Sequence, residues 1–284
     1  MADNERAPVL EVTGLRKEFG ELVAVDDVSF SLPAARSLAI VGESGSGKTT
    51  VARMIVGLER PTRGTISACG QDRSHPARSA RDRRRRGREV QIVFQDPYTS
   101  LDPRQSAEAS IDEVLRKHHR WRAGRRRARV AELIGLVGLD SRQARALPRA
   151  LSGGQRQRVA IARSLAAEPR VLILDESVAA LDVSIQAQVL NLLADIRDET
   201  GVSYILISHD LAVVRQLTDE TIVMHRGRVV ERGSTAQVLD DPQHPYTQRL
   251  RASVPRPGWK PARRPAMLPG KRRSRVLYSR TDSL

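Results

Sequence analysis

The run Gly42-Glu43-Ser44-Gly45-Ser46-Gly47-Lys48-Thr49 constrains this chain more than any other segment. It satisfies GxxxxGK[ST], and it lies between an apolar stretch, Ser37–Val41, and a segment of helical character over 47–58 that Gly57 and Pro61 stop. A strand, a glycine-rich loop and a helix in that order make a phosphate cradle. Backbone N–H groups of the loop curl around phosphate oxygens, and the positive end of the helix dipole faces them. Lys48 is then the residue that reaches the β- and γ-phosphates, and the Thr49 hydroxyl the one that binds Mg²⁺. The loop needs a sheet behind it, so the fold must be α/β.

The rest of the chain agrees. Short apolar runs at 171–174 and 204–207 read as buried strands, and an amphipathic stretch at 184–197 reads as a helix between them. Apolar strands separated by such helices indicate a mainly parallel sheet covered on both faces. Residues 9–70, which contain the strand and the loop, otherwise alternate extended segments with turns, and an antiparallel β portion is expected beside the parallel sheet. Strands at 221–224 and 229–231 flank a turn at Arg226-Gly227, and 91–94 is a further short strand. The arginine-rich stretch 71–90 has no apolar periodicity and is expected as a solvated loop or edge hairpin. Residues 105–150 are helical: Ile111, Val114 and Leu115, then Val130, Leu133, Ile134 and Val137, recur at helix spacing. The expected organisation is one nucleotide-binding domain over 9–240, with a helical insertion at about 105–165, and a basic, Pro-rich extension over 241–284. Within it, 255–284 lacks apolar periodicity and is expected to be mobile.

At 284 residues and 40% apolar composition the chain can bury a sizeable core. No run approaches the roughly 18 apolar residues needed to span a bilayer. The first residues, Met1-Ala2-Asp3-Asn4-Glu5-Arg6, lack the pattern of a secretory leader. The chain is expected in the cytoplasm. A single cysteine, Cys69, excludes an internal disulfide framework. The net charge of +15 comes from arginine, clustered in 81–88, 120–129 and 249–280. Genome composition, a nucleic-acid surface and an anionic membrane face all account for such a bias. Aromatic residues make up only 3% of the chain, and no basic run carries the interleaved rings of a single-strand stacking platform.

Two further motifs carry chemistry. Val171-Leu172-Ile173-Leu174-Asp175-Glu176 is an apolar strand ending in two carboxylates. Asp175 is placed to hold Mg²⁺ through water, and Glu176 to orient and deprotonate an attacking water. Leu151-Ser152-Gly153-Gly154-Gln155 opens a helix carrying Val159, Ile161, Ala162, Leu165 and Ala166. Ser152 fits the N-cap role, and the two glycines leave backbone N–H groups bare enough to approach an anion at the positive helix end.

With these motifs in order, the chain resembles the ATP-binding subunits of ATP-binding-cassette (ABC) transporters over residues 9 to about 250. The resemblance implies ATP and Mg²⁺ as ligands and ATP hydrolysis as the activity. It assigns nucleotide contacts to Gly42, Glu43, Ser44, Gly45, Ser46, Gly47, Lys48, Thr49 and Thr50. The partner-facing signature is Ser152, Gly153, Gly154 and Gln155, with Asp182 at the seam between chains. Gln95 senses Mg²⁺ and the attacking water, His209 contacts the γ-phosphate as a switch, and Phe19 occupies the place of the adenine-stacking aromatic. A core phenylalanine is the alternative for Phe19. The segments 94–104 and 181–193, and His244-Pro245-Tyr246-Thr247, resemble the oligopeptide, dipeptide and nickel importer group.

That branch implies a second ATPase subunit, transmembrane permease subunits and, indirectly, an extracytoplasmic solute-binding protein, with the chain at the cytoplasmic membrane face and no nucleic-acid partner. A soluble ABC ATPase acting on nucleic acid or the ribosome, and an exporter ATPase, are the alternatives. One departure stands out: Ser177-Val178-Ala179-Ala180 replaces the family's usual Pro-Thr-Ser-Ala after the catalytic glutamate, which puts communication between the two sites in doubt.

Overall fold

The computed structural model describes residues 8–96, 100–177 and 182–252. In chain order the elements are β1 (Pro8–Phe19), β2 (Leu22–Pro33), β3 (Ser37–Val41), α1 (Lys48–Val56), β4 (Arg63–Ala68), β5 (Gln71–Asp72), α2 (Ala80–Glu89) and β6 (Val90–Val93). The helices α3 (Ala107–His118), α4 (Ala123–Leu136), α5 (Ser141–Arg145) and α6 (Gly153–Leu165) follow. Then come β7 (Val171–Asp175), α7 (Val183–Thr200), β8 (Ser203–Ser208), α8 (Leu211–Leu217), β9 (Glu220–His225), β10 (Arg228–Ser234), α9 (Thr235–Asp240) and α10 (Pro245–Ala252).

The strands form two sheets. An antiparallel one has the order β2-β1-β4-β5, and a six-stranded one has the order β10-β9-β3-β8-β7-β6. In the larger sheet β9, β3, β8, β7 and β6 run parallel, and β10 joins antiparallel at one edge. The apolar runs expected at 171–174 and 204–207 are its central strands, the first extended by Asp175 and the second by Ser203 and Ser208. Successive side chains of a strand point to opposite faces, and here both faces are covered. Leu38, Ile40, Val171, Ile173, Ile205 and Ile207 pack with α1 and the antiparallel sheet. Ala39, Val41, Leu172, Leu174, Tyr204 and Leu206 pack with the helices of the other side. That two-sided burial is why these strands read as unbroken apolar runs.

The helical insertion forms where its periodicity placed it. Ile111, Leu115, Leu133 and Val137 are fully buried in the same core as the sheet's insertion-side face. The expectation of a loop or hairpin over 71–90 is overturned in its larger part: 80–89 is a helix that buries no residue. The helix holds for local reasons. The Ser79 hydroxyl accepts from the Asp82 N–H at 3.1 Å, and Asp82 pairs with Arg85 at 2.7 Å and Arg86 at 3.2 Å, one turn on. Beyond residue 240, α10 packs onto the core through Tyr246, which is 3% exposed. The extension 253–284 and the segment 178–181 lie outside the described residues, as do 97–99 of the importer-like stretch. Among the described residues no helix is long and apolar enough to cross a membrane.

Candidate functional site

The loop 42–49 leaves the carboxyl end of β3 and runs straight into α1, as the motif requires. Two of its glycines are fixed by close approach. A Cβ on Gly42 would stand 2.2 Å from the Met224 carbonyl oxygen, and one on Gly47 2.4 Å from that of Ala24. Both have positive φ, 151° and 101°. The loop is therefore wedged between β9 and β2, and its glycines serve that wedge as well as the cradle. Lys48 is 4% exposed, and its ammonium donates to the carbonyls of Gly42 and Glu43, each at 2.8 Å. Burial pushes its pKa down, against the attraction of Glu176 and Asp175. Two of its three N–H donors are thus engaged within the loop. The Ser46 hydroxyl is buried beside it without a hydrogen-bond partner.

Sheet register sets the rest of the edge. Val93 lies level with Leu174, Asp175 with Ile207, and Val41 with Ser208. The residues that follow, Gln95, Glu176, His209 and Gly42, therefore come off one carboxyl edge, where ligands bind in open α/β sheets. Asp175 is 4% exposed, and burial raises its pKa against a hydrogen bond that it accepts from the Thr49 hydroxyl at 3.2 Å. This pair of hard oxygens suits Mg²⁺, which takes one or two protein oxygens and completes its shell with phosphate and water. A buried carboxylate short of compensating charge is the environment that a dication would relieve. Gln95 is exposed two residues past the end of β6, and among the described residues no hydrogen bond joins it to Thr49 or Asp175.

Glu176 has φ of 48°, a left-handed conformation that costs a non-glycine residue about 1–2 kcal/mol. Its N–H still reaches the Ile207 carbonyl at 2.9 Å, so the chain turns out of the sheet exactly one residue past Asp175 while its carboxylate faces the His209 ring, Nδ1 to Oε1 3.6 Å. Backbone strain of this kind concentrates at functional positions.

The second motif folds differently. Ser152 caps α6 in a reciprocal box: its hydroxyl accepts from the Gln155 N–H at 3.2 Å, and the Gln155 side chain accepts from the Ser152 N–H at 2.8 Å. The first amides of that helix, Gly153 and Gly154, are left to other acceptors. Gly154 has a further reason to be glycine, which the sequence did not reveal: a Cβ there would meet Ile185 Cγ2 at 2.4 Å. Asp182 caps α7 by accepting from the Ile185 N–H at 3.0 Å. Asp182 and the turn 152–155 are thus packed together through Ile185. Among the described residues no hydrogen bond or ion pair joins 152–155 or Asp182 to the loop 42–49. Phe19 is 46% exposed with the Lys17 ammonium 4.6 Å over its ring, so the core-phenylalanine alternative falls.

One participant escaped the sequence reading. The Glu43 N–H donates to the Tyr246 hydroxyl at 3.0 Å, across 203 residues. His244-Pro245-Tyr246-Thr247 was visible as an element, but nothing in its spacing says that its tyrosine reaches the loop.

The comparisons agree with this geometry. Residues 25–179 match the ABC transporter family model, and 230–276 match the oligopeptide/dipeptide transporter C-terminal region. The chain is 42% identical over 262 residues to the dipeptide transport ATP-binding protein DppF of Haemophilus influenzae, covering 89% of this chain and 80% of that one. It is 44% identical over 240 residues to the oligopeptide transport ATP-binding protein AppF of Bacillus subtilis, covering 84% and 73%. Among solved structures it resembles the cassette MJ0796 in a dimeric post-hydrolysis state bound to ADP and Pi, with TM-score 0.72, 28% identity and coverage of 80% and 98%. It also resembles cbiO1 of Clostridium perfringens, part of the transporter complex cbiONQ, with TM-score 0.74, 28% identity and coverage of 82% and 91%. The chain belongs to the ABC transporter family of ATP-binding subunits.

Proposed function

We propose that this chain binds and hydrolyses ATP to energise a membrane importer of peptides. The observation that carries the mechanism is the split just described: loop, carboxylates and histidine gather on one sheet edge, while among the described residues no hydrogen bond or ion pair joins the signature turn or Asp182 to the loop. In this reading two ATP molecules lie between two such subunits, identical or paralogous. Each nucleotide rests on one subunit's residues 42–50, with Phe19 against the adenine, and is capped by Ser152, Gly153, Gly154, Gln155 and Asp182 of the other. Val183, 81% exposed beside Asp182, gives that surface an apolar contact to bury. The dimeric form of the MJ0796 cassette supports the arrangement.

Glu176 takes the proton of the water that attacks the γ-phosphorus, ADP departs, and His209 holds the γ-phosphoryl oxygens. Thr49, Gln95 and, through water, Asp175 would hold Mg²⁺, which would supply neutralisation of charge on the transferred group. Separate membrane permeases receive the motion. A cleft of about 590 Å³ between the core and the insertion, lined by Val93, Glu113, Val114, Lys117 and Ala160, fits an element from such a partner. Subunits of this kind work at the cytoplasmic membrane face, with the extracytoplasmic solute-binding protein acting only through the permeases. The peptide substrate rests on the names of the relatives and on the C-terminal family match.

Glu176→Gln tests this reading. Turnover should fall roughly 10²–10⁴-fold while ATP stays bound and holds two subunits together, and uptake of a labelled oligopeptide by the membrane complex should stop. Unchanged turnover would remove Glu176 from its role. Loss of turnover with peptide uptake intact would separate this subunit from peptide import.

A further inference from the structure

The loop is gripped at two successive residues by parts of the chain that lie far from it in sequence. Gly42 presses on the Met224 carbonyl near the end of β9. Glu43, next along, donates its N–H to Tyr246 of α10. The tyrosine ring lies against His225, the residue after Met224, with centroids 4.0 Å apart at 32°. The end of β9 and α10 therefore form one surface under the start of the loop.

Tyr246 is itself held in place. The Glu231 carboxylate on β10 accepts from the Gln243 N–H at 2.7 Å and the His244 N–H at 3.1 Å, and His244 Nδ1 accepts from the Tyr246 N–H at 3.2 Å. A chain of contacts thus runs from a sheet edge through the start of α10 to the backbone of the phosphate loop. Burial raises the phenol's pKa against the hydrogen bond from Glu43, so the oxygen stays a neutral acceptor.

We propose that Tyr246 is a positioning residue for the nucleotide loop, which makes α10, beyond the ATPase core, part of the nucleotide site. The physical reason is specific. Among the described residues the Glu43 amide donates to Tyr246 and not to another residue of the loop. Without the phenol oxygen it must find another acceptor, and the carbonyl of Glu43, which Lys48 uses, belongs to the next peptide along. A loop free to rotate at Glu43 loses the alignment of Lys48 and of the amides that follow. The cost falls on nucleotide affinity, because pre-organisation of a binding loop is spent at the moment of binding. This inference rests on the assignment of 42–49 as the nucleotide loop.

The test is Tyr246→Phe in the full chain, which keeps the ring on His225 and removes only the oxygen. Binding of a fluorescent ATP analogue should weaken roughly 3- to 10-fold, the scale of one net hydrogen bond. The KM for ATP should rise in step, with kcat within about twofold and the melting temperature of the nucleotide-free chain little changed. Glu231→Gln, which loosens the support one step back, should give a smaller shift of the same kind. Unaltered affinity in Tyr246→Phe overturns the proposal, as does a fall in melting temperature with affinity intact, since that marks a purely structural role. Lys48→Ala serves as the control: if it too leaves affinity unaltered, the loop assignment has failed; if it abolishes binding while Tyr246→Phe does not, only the role of Tyr246 has.

Discussion

The two segments proposed to handle phosphate are held in opposite ways. The loop 42–49 is built inward: Gly42 and Gly47 touch neighbouring backbone, Lys48 is buried on the loop's own carbonyls, and Glu43 is tied to Tyr246. The signature turn is closed on itself: Ser152 and Gln155 cap each other reciprocally, and Asp182 caps its own helix. One segment is positioned by its own chain for a ligand. The other is pre-organised as a rigid surface whose remaining donors point to something else. A capping box leaves the first two amides of its helix for an anion; Ser152 is exposed, Gly153 half-buried and Gly154 buried, and in the proposed reading these donors meet a nucleotide carried by the other subunit. In the proposed reading this difference means that closure between chains, not folding of one chain, completes the site.

The largest expected effect separates the two segments. Lys48→Ala removes the buried ammonium that attracts Glu176 and Asp175. Hydrogen bonds to charged groups are worth about 1.5–3 kcal/mol, so equilibrium binding of ATP to the isolated chain should weaken by roughly 10- to 100-fold. Full affinity retained in a titration would break the comparison at its inward half.

A change in the signature turn should behave in the reverse manner. Gly154→Ala drives a methyl group into Ile185 Cγ2, and because a β-branched side chain is stiff, α6 or α7 must shift. ATP affinity of the isolated chain should stay within about twofold, while turnover of the assembled transporter falls about tenfold, the effect of a misplaced donor set. Gly154→Ala combined with Ile185→Ala relieves the contact and should restore part of the turnover. No recovery in that pair would mean that the glycine serves an approach from outside rather than its packing on Ile185. Equal loss of affinity and turnover in the single variant would erase the distinction between the halves.

How much of this was legible in the sequence follows from the same contrast. Motifs whose parts are adjacent in the chain were readable: strand, loop and helix around Lys48, the strand ending at Asp175, the N-cap at Ser152. So was the insertion, because Ile111, Leu115, Leu133 and Val137 repeat with the helix period. The helix α2 was hidden because it buries nothing and periodicity had no apolar face to detect; the Ser79–Asp82 cap was the available signal. The contacts Glu43–Tyr246 and Gly154–Ile185 were hidden for another reason. They join residues far apart in sequence, and composition carries no information about which distant backbone group a tyrosine or an isoleucine will meet.

The smallest expected effect concerns stability and sharpens the inward half. Burial raises the pKa of Asp175, so the folded chain holds that proton more tightly than the unfolded chain. The associated stability is present below the unfolded value, about 3.9, and is lost as pH rises through the raised folded value. At neutral pH the ionised carboxylate is therefore a cost to the nucleotide-free fold. Asp175→Asn keeps an oxygen for the Thr49 hydroxyl and removes the charge. It should raise the melting temperature at pH 8 by an amount on the order of a few degrees, with the gain shrinking as pH falls and the native carboxyl takes up its proton. Melting curves across pH read this directly, and the same variant should lose the extra stabilisation that Mg²⁺ adds to ATP. An Asn variant less stable at every pH would show that the carboxylate is compensated within the fold, and the case for a dication at Thr49 and Asp175 would lose its electrostatic basis.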